Sequence, residues 1–111
     1  YLPGSNIREE QLHANDNFQE ADLAGINFRE LNMQGWNLSG INLSGVVMHE
    51  TNLTGADLSH TNLPGADFYH AKLAGADLTG ANLRDAIVTD EQLAATRSLK
   101  GAKLTDGTVR E

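Results

Sequence analysis

The sequence predicts a solenoid, a fold in which a short unit repeats along the chain and successive units stack. Between Asp16 and Asp90 the chain repeats with a period of five residues and no insertion. The central residue of every unit is apolar, and Gly, Asn and Asp recur at fixed offsets from it. Because five residues are too few to bury their own apolar face, the units must stack on one another.

The central residue of each unit, called its centre below, defines the interior of the predicted fold. The centres are Phe18, Leu23, Phe28, Met33, Leu38, Leu43, Met48, Leu53, Leu58, Leu63, Phe68, Leu73, Leu78, Leu83 and Val88. The residue before the centre is Asn or Asp except at Val47, Lys72 and Ile87. The residue two after the centre is most often Gly.

A period of five fits neither of the regular secondary structures. On an α-helix, five residues turn through about 500°, so successive centres would form no stripe along one side. On a flat strand, an odd period would place successive centres on opposite faces. The chain must therefore turn a corner once per unit, and Gly, Asn and Asp are the residues that tolerate such corners.

Seven consecutive units give the pattern a close likeness to a known family. The segments TNLTG, ADLSH, TNLPG, ADFYH, AKLAG, ADLTG and ANLRD follow one another from Thr51 to Asp85. They resemble the A(D/N)LXX unit of the pentapeptide-repeat family, and the repeat covers about two-thirds of the chain. The resemblance implies an all-β fold, a right-handed quadrilateral parallel β-helix with four units in each of about four coils.

Twenty residues per coil would stack the centres in four columns, one for each face of the coil. Face one holds Phe18, Leu38, Leu58 and Leu78; face two holds Leu23, Leu43, Leu63 and Leu83; face three holds Phe28, Met48, Phe68 and Val88; face four holds Met33, Leu53 and Leu73. The second inward position is Ala at Ala21, Ala56, Ala66, Ala71, Ala76, Ala81 and Ala86, which suits a narrow core.

In the first coils, larger residues replace Ala at the second inward position: Ile26, Leu31, Trp36, Ile41 and Val46. They indicate either an enlarged core that meets the N-terminal segment or an apolar end that packs against another protomer. In the second interpretation Trp36 is the candidate end contact, since it has the largest area to bury.

Both ends of the repeat are expected to carry short helical caps, because an open solenoid end exposes its core. A helix is predicted from Ser5, its N-cap, to Ala14. A second is predicted from Asp90 to about Thr96, with Thr89 and Gln92 as a capping box and Val88 and Leu93 as a hydrophobic staple. The chain is thus one domain, 1–111, with a cap at 1–15, the β-helix at 16–90 and a C-terminal helix and cap at 91–111.

After the second helix, Leu99 and Leu104 are again five residues apart, so coil geometry is expected to resume for one or two units. This ending, SLKGAKLTDGT, is similar to that of cyanobacterial-type pentapeptide-repeat proteins.

The charge lies on the repeat. The chain has a net charge of −7, and residues 16–90 carry ten acidic and three basic side chains, which gives the same −7. This argues against binding to nucleic acid or to an anionic membrane, since both require basic patches. The chain has no cysteine and no apolar run near 18 residues. A cytoplasmic location is slightly favoured, with the periplasm or thylakoid lumen open if a signal peptide preceded Tyr1.

Face three departs most from the repeat. Its candidate protein-binding residues are Arg29, Glu30, Val47, His49, Glu50, Asp67, Tyr69, His70 and Ile87. Stacking predicts that Glu50 lies beside His70 and His49 beside Tyr69. Three interpretations stay open: a solvated face with pairs across coils, a partner-binding face, and a divalent metal between Glu50 and His70. A convex side of a rod is expected to offer no pocket for catalysis.

The favoured function is a non-enzymatic structural or protein-interaction module with a rigid acidic surface, a protein partner of unknown identity and no cofactor. It would be a monomer or an end-to-end dimer. The resemblance also implies an alternative, a DNA mimic that inhibits a topoisomerase or another nucleic-acid-binding protein. A rod of roughly 18 Å, however, covers only about five base pairs. A metal-dependent activity at Glu50 and His70 is the third alternative. No catalytic, cofactor-binding or metal-binding residue is assigned.

Overall fold

The chain forms a coil whose turns are joined by parallel backbone pairing. The structure is a computed structural model that describes residues 23–110; the predicted N-terminal helix, Phe18 and Ala21 lie outside this range. Parallel bridges join residues one coil apart, and the pairs are Asn27–Val47, Asn32–Asn52, Asn37–Asp57, Asn42–Asn62, Val47–Asp67, Asn52–Lys72, Asp57–Asp77, Asn62–Asn82 and Asp67–Ile87. Each coil therefore takes twenty residues, and each of its four sides is one unit.

The same backbone hydrogen bonds recur in every regular unit. The centre donates its N–H forward to the next coil, as Leu58 does to the Asp77 carbonyl at 2.8 Å. The residue before the centre donates backward, as Asp57 does to the Trp36 carbonyl at 2.8 Å. Stacking thus satisfies backbone groups that a lone unit would leave unpaired.

The core is the predicted set of columns. Leu38, Leu58 and Leu78 are fully buried on face one, and the centres of the other faces are buried in the same cluster from Leu23 to Leu83. The larger residues at the second inward position belong to that cluster as well: Ile26, Leu31, Trp36, Ile41 and Val46. In the described residues these side chains therefore fill the core.

A helix interrupts the last coil. Helix α1 (Asp90–Ala94) begins where the sequence predicts and ends two residues before the predicted end at Thr96. Thr89 is its N-cap, and the capping box with Gln92 is present. Val88 and Leu93 are partly buried against the core cluster. The helix takes the place of a unit on face four.

Coil geometry resumes after α1, as predicted. Asp77 pairs with Ser98 and Asn82 with Lys103, so the spacing is twenty-one residues and α1 adds one residue to its coil. Leu99 again packs against the core.

The C-terminal segment then folds back over face two in a way that the repeat does not predict. Lys103 and Val109 form an antiparallel bridge. Gly101 donates to the Arg110 carbonyl at 2.7 Å, and Arg110 donates to the Ala102 carbonyl at 2.8 Å. These bonds cover part of the open edge of the coil. Across residues 23–110 no helix has the length and apolar character needed to cross a bilayer.

Candidate functional site

Face three lacks part of the hydrogen bonding that shapes the regular units. In those units the Asn or Asp before the centre accepts the N–H of the residue two further on, as Asn52 does from Thr54 at 3.1 Å. Val47 and Ile87 have no side-chain acceptor for such a bond. Beyond Ile87 the Thr89 N–H turns instead to the Gln92 side-chain oxygen, at 2.8 Å. Two of the bridged residues on face three therefore give up a local bond and present aliphatic groups.

The corners of face three are also unusual. Glu30, Glu50 and His70 have left-handed backbones, with φ of 62°, 59° and 56°. The equivalent corners on face two are Gly25, Gly45 and Gly65, which adopt this conformation without strain. A residue with a Cβ is strained there by about 1–2 kcal/mol. His60 on face one and Asp85 on face two have the same backbone, so face three is distinguished by having a side chain at all three of these corners.

A network of side chains crosses between two coils on this face. His49 Nε2 lies 2.6 Å from Asp67 Oδ2, and Asp67 Oδ1 accepts the Tyr69 N–H at 3.1 Å. The rings of His49 and Tyr69 meet edge to face with centroids 5.4 Å apart, which confirms the predicted pair. Tyr69 also contacts His70, with centroids 4.1 Å apart. The Tyr69 ring therefore contacts two imidazole rings, one in its own coil and one in the coil before.

Sequence reasoning missed the bond between His49 and Asp67, although a signal for it exists. His49 follows one centre and Asp67 precedes the centre in the next coil. The same relation brings Asn62 Nδ2 within 3.1 Å of Ser44 Oγ on face two. On face three, the same relation between the residue after one centre and the residue before the next pairs His49 with Asp67 and Tyr69 with Ile87.

Glu50 and His70 stand at equivalent corners of neighbouring coils, since the Glu50 N–H donates to the Tyr69 carbonyl at 2.9 Å. Both are exposed at their corners, and no hydrogen bond or ion pair joins their side chains in the part of the chain that the structure describes. Within that same part, no three His, Cys, Asp or Glu side chains are grouped closely enough to hold a metal ion. The placement of Glu50 beside His70 therefore stays a prediction.

A groove open to solvent lies beside the network. It has a volume of about 370 Å³ and is lined by Tyr69, His70, Ala71, Ile87, Val88, Thr89 and Gln92. Tyr69 is 55% exposed and Ile87 58% exposed, so both present large apolar surfaces at the groove. The groove exists because α1 leaves the line of the coil and forms a second wall, which the repeat alone does not indicate.

Gln92 attaches that wall to the coil beneath it. Its side-chain Nε2 donates to the carbonyls of Phe68 and Ala71, both at 2.8 Å. One coil earlier, the carbonyl equivalent to Ala71 is that of Thr51, which accepts the Lys72 backbone N–H at 2.9 Å. The Gln92 amide thus replaces a backbone donor that the coil loses when α1 begins.

The remaining candidate residues lie away from the groove. Arg29 and Glu30 are exposed on an earlier coil, and Val47 is half-buried. Trp36 is only 6% exposed and belongs to the core cluster. Its predicted role as an end contact stays a prediction, as does the role of face three in binding a partner.

Comparison with known proteins agrees with this architecture. The pentapeptide-repeat family model matches residues 17–45 and 51–90 with eight copies. The crystal structure of Rfr23, a pentapeptide-repeat protein from the cyanobacterium Cyanothece 51142, is 36% identical with a TM-score of 0.71, and the match covers 81% of this chain. The chain spans 60% of the length of that protein.

Two further solved structures are similar in sequence. AT2G44920, a pentapeptide-repeat protein from the Arabidopsis thaliana thylakoid lumen, is 31% identical over 81% of this chain and 69% of its own, with a TM-score of 0.42. HetL, involved in heterocyst differentiation regulation in the cyanobacterium Nostoc sp. strain PCC 7120, is 29% identical over 77% of this chain and 43% of its own, with a TM-score of 0.41.

No curated protein matches the sequence. The family model matches more than half of the chain, and the Cyanothece protein is alike in both sequence and fold. The chain therefore belongs to the pentapeptide-repeat family and folds as a right-handed β-helix.

Proposed function

We propose that this chain is a non-enzymatic protein-interaction module that binds its partner through face three. The observation that carries the proposal is the pair of exposed apolar side chains, Tyr69 and Ile87, at a groove on a face that departs from the repeat. Asn or Asp stands before the centre in most units, so Ile87 is not a requirement of the coil. Exposed aromatic and aliphatic groups in a concave site are typical anchors of protein interfaces.

The groove is held in shape before any partner arrives. One wall rests on the coil ladder, where Ile87 donates to the Ala66 carbonyl at 2.8 Å. The other wall rests on the two bonds from the Gln92 amide. A surface ordered in advance loses little conformational entropy on binding, which favours affinity.

The chemistry of the face supports binding rather than catalysis. His49 and Asp67 could together act as an oriented base, but catalysis of that kind needs a nucleophile within hydrogen-bonding distance of the imidazole. Among residues 23–110 the hydrogen bond of the His49 side chain is the one to Asp67, and no Ser, Thr or Tyr hydroxyl is bonded to it. The pair is therefore proposed to position Tyr69.

The proposed scaffold has about four coils with short terminal caps and is a monomer in solution. The antiparallel bridge between Lys103 and Val109 supports a monomer, because it covers coil edge on which a second copy would otherwise stack.

Affinity capture with matched variants tests the proposed surface. The double variant Tyr69→Ser/Ile87→Asn removes both exposed apolar groups, and Asn restores the residue type usual before a centre. The control is Val109→Asn, which removes an apolar group of similar exposure, 59%, at the C-terminal end. We expect partners captured by the wild type and by the control to be lost from the double variant, as measured by quantitative mass spectrometry. Equal capture by all three proteins would place the partner site elsewhere.

A further inference from the structure

We propose that the last coil, residues 90–110, carries a second binding site: an open backbone edge on face one that binds an extended acidic peptide segment. The segment would carry an acidic and a large apolar side chain two residues apart. The site lies at the C-terminal end of the coil and not on face three, so it goes beyond the proposed function. It follows from unpaired backbone groups, from the cavity beside them and from the charges that line this cavity.

On face one the last coil ends with an unpaired donor and an unpaired acceptor. In the coil before, the Leu78 N–H donates to the Ser98 carbonyl at 2.9 Å. The Ala76 carbonyl of that coil accepts the Arg97 N–H at 2.7 Å. The equivalent groups of the last coil are the Leu99 N–H and the Arg97 carbonyl, and neither has a hydrogen bond among residues 23–110. A donor and an acceptor left unpaired on one edge form a template for another strand.

Face two shows the same edge with a strand already in place. Its donor, the Leu104 N–H, bonds to the Thr108 carbonyl at 2.7 Å. Its acceptor, the Ala102 carbonyl, receives the Arg110 N–H at 2.8 Å. In the described residues the C-terminal segment therefore completes face two and leaves face one open.

A cavity of about 380 Å³ lies beside the open edge. Leu93, Leu99 and Leu104 line it, and all three are half-buried, unlike the buried centres of the earlier coils. Successive side chains of a strand point to opposite sides, so a segment on this edge would direct every second side chain into the cavity. A large apolar side chain above Leu99 would remove the three Leu side chains from water.

The charges of the cavity favour an acidic side chain beside that apolar one. Arg97 takes the inward position that Ala76 holds one coil earlier, and it lines the cavity together with Arg110. Asp90 lines the cavity as well, but among residues 23–110 neither guanidinium group forms an ion pair with a carboxylate. Residues 95–110 carry four basic side chains and one acidic one, so this end has a net charge of +3. An acidic residue above Arg97 would stand two residues from the apolar residue above Leu99.

A displayed library of random eight-residue peptides tests the proposal on the intact chain. The depletion target is Arg97→Gln/Arg110→Gln, which keeps the backbone edge and removes both guanidinium groups. The matched control is Arg29→Gln/Lys72→Gln, which removes two exposed positive charges elsewhere on the coil. We expect enriched peptides to share Asp or Glu two residues from a large apolar residue and to be retained by the control. Basic peptides, peptides that bind the depletion variant equally well, or no enrichment would each overturn the proposal.

N-methylation of single amides in an enriched peptide then tests the backbone pairing. A strand turns alternate N–H groups toward its neighbour, so methylation is expected to weaken binding about tenfold at one set of alternate positions. Methylation at the positions between them should change the affinity less than about twofold. Fluorescence anisotropy measures both series, and equal losses at neighbouring positions would overturn the addition of a strand.

Amide hydrogen exchange locates the pairing on the protein. Saturation with the peptide is expected to slow exchange of the Leu99 N–H at least about tenfold, while the Leu104 N–H, already bonded, is the internal reference. Unchanged exchange at Leu99 would overturn the proposal. Tyr69→Ser/Ile87→Asn should bind the peptide as tightly as the wild type does, and a loss of binding in this variant would assign the peptide to face three instead.

A second copy of the chain is the competing occupant, since two open edges could pair about a twofold axis. Such pairing would bring Arg97 and Arg110 of both copies together, and opposed like charges disfavour it. Sedimentation equilibrium is therefore expected to show a monomer. Self-association that the enriched peptide reverses would assign the edge to a second copy and overturn the proposal of a separate partner.

Discussion

Face two and face three share the same backbone hydrogen bonds between coils, but they differ in the residues before the centre and at the corner. On face two, Asn42, Asn62 and Asn82 are bridged in one row, and the left-handed corners are Gly25, Gly45, Gly65 and, one coil later, Asp85. On face three the bridged row is Asn27, Val47, Asp67 and Ile87, and the corners are Glu30, Glu50 and His70. The coil closes equally well on both faces.

The difference separates what the fold requires from what it permits. Burial of the centres and the backbone bonds between coils are common to both faces, so these are the requirements. Glycine at the corner and Asn or Asp before the centre lower the free energy of the fold, but the coil forms without them. Side chains also stand at single left-handed corners on the other faces, His60 on face one and Asp85 on face two. Face three differs because its three left-handed corners, Glu30, Glu50 and His70, all carry side chains and because Val47 and Ile87 replace Asn or Asp.

The largest expected effect concerns the core, where the two faces should behave alike. Phe68 and Leu63 are both fully buried. Phe68→Ala is expected to lower the free energy of unfolding by about 3–5 kcal/mol and Leu63→Ala by about 2–5 kcal/mol, because each leaves a cavity. Urea denaturation measures both. Phe68→Leu, which gives face three the centre found on face two, should lose less than Phe68→Ala because the Leu side chain leaves a smaller cavity. A Phe68→Ala loss below 1 kcal/mol would contradict a shared core.

The next largest expected effect concerns α1, which forms the second wall of the groove on face three. Gln92→Ala removes two bonds to the coil and the side-chain half of the capping box, so we expect a loss of about 2–3 kcal/mol in unfolding free energy. Gln34→Ala is the control, since Gln34 is exposed and should change stability by less than about 0.5 kcal/mol. Hydrogen exchange at Leu93 and Ala95 should accelerate in Gln92→Ala alone. Equal exchange in both variants would show that the wall does not depend on Gln92.

A smaller effect measures the strain at the corners directly. A Cβ added at Gly45 meets nothing within 4 Å, so Gly45→Ala should destabilise by about 1 kcal/mol through its φ of 66° alone. Glu50→Gly, the reverse change on face three, should stabilise by about 0.5–1 kcal/mol, since relief of strain exceeds the entropy added to the unfolded chain. Thermal unfolding of the two variants checks the sign. If Gly45→Ala stabilised the protein, backbone strain at the corner could not explain the difference between the two faces.

The smallest expected effect is a pH dependence of stability on face one, where the residue before the Leu78 centre is the acidic Asp77. The Thr79 hydroxyl and then the Thr79 N–H hold the pKa of Asp77 below its usual value of 3.8 by donating to its carboxylate. A lowered pKa contributes stability that is complete above pH 3.8 and is lost as the pH falls through the folded-state value. Stability should therefore fall more steeply below pH 3.8 in the wild type than in Asp77→Asn, which keeps the acceptor without the charge.

Denaturation in urea at several pH values measures this difference, and Asn82 on face two is the natural neutral counterpart. The change is expected to be small because Asp77 remains accessible to solvent. A pH dependence that is identical in the wild type and Asp77→Asn would exclude the Thr79 bonds as its source.

The sequence by itself determined the interior of this protein. A period of five with an apolar centre leaves one inward direction per unit, so Leu58 and Leu78 had to share a column once the coil length was known. The pair of His49 and Tyr69 followed from the same stacking, and the start of α1 followed from Thr89 and Gln92, because a capping box is a local signal.

Only the tertiary structure decided which exposed side chains on face three contact one another. The bond between His49 and Asp67 depends on which side chains reach across the corner, and the absence of a bond between Glu50 and His70 depends on the left-handed backbone that points them into solvent. The groove depends on α1 leaving the coil, and the Gln92 side chain bonds α1 to the Phe68 and Ala71 carbonyls of the preceding coil. A repeat pattern specifies what must be buried and leaves the placement of exposed groups to contacts between coils.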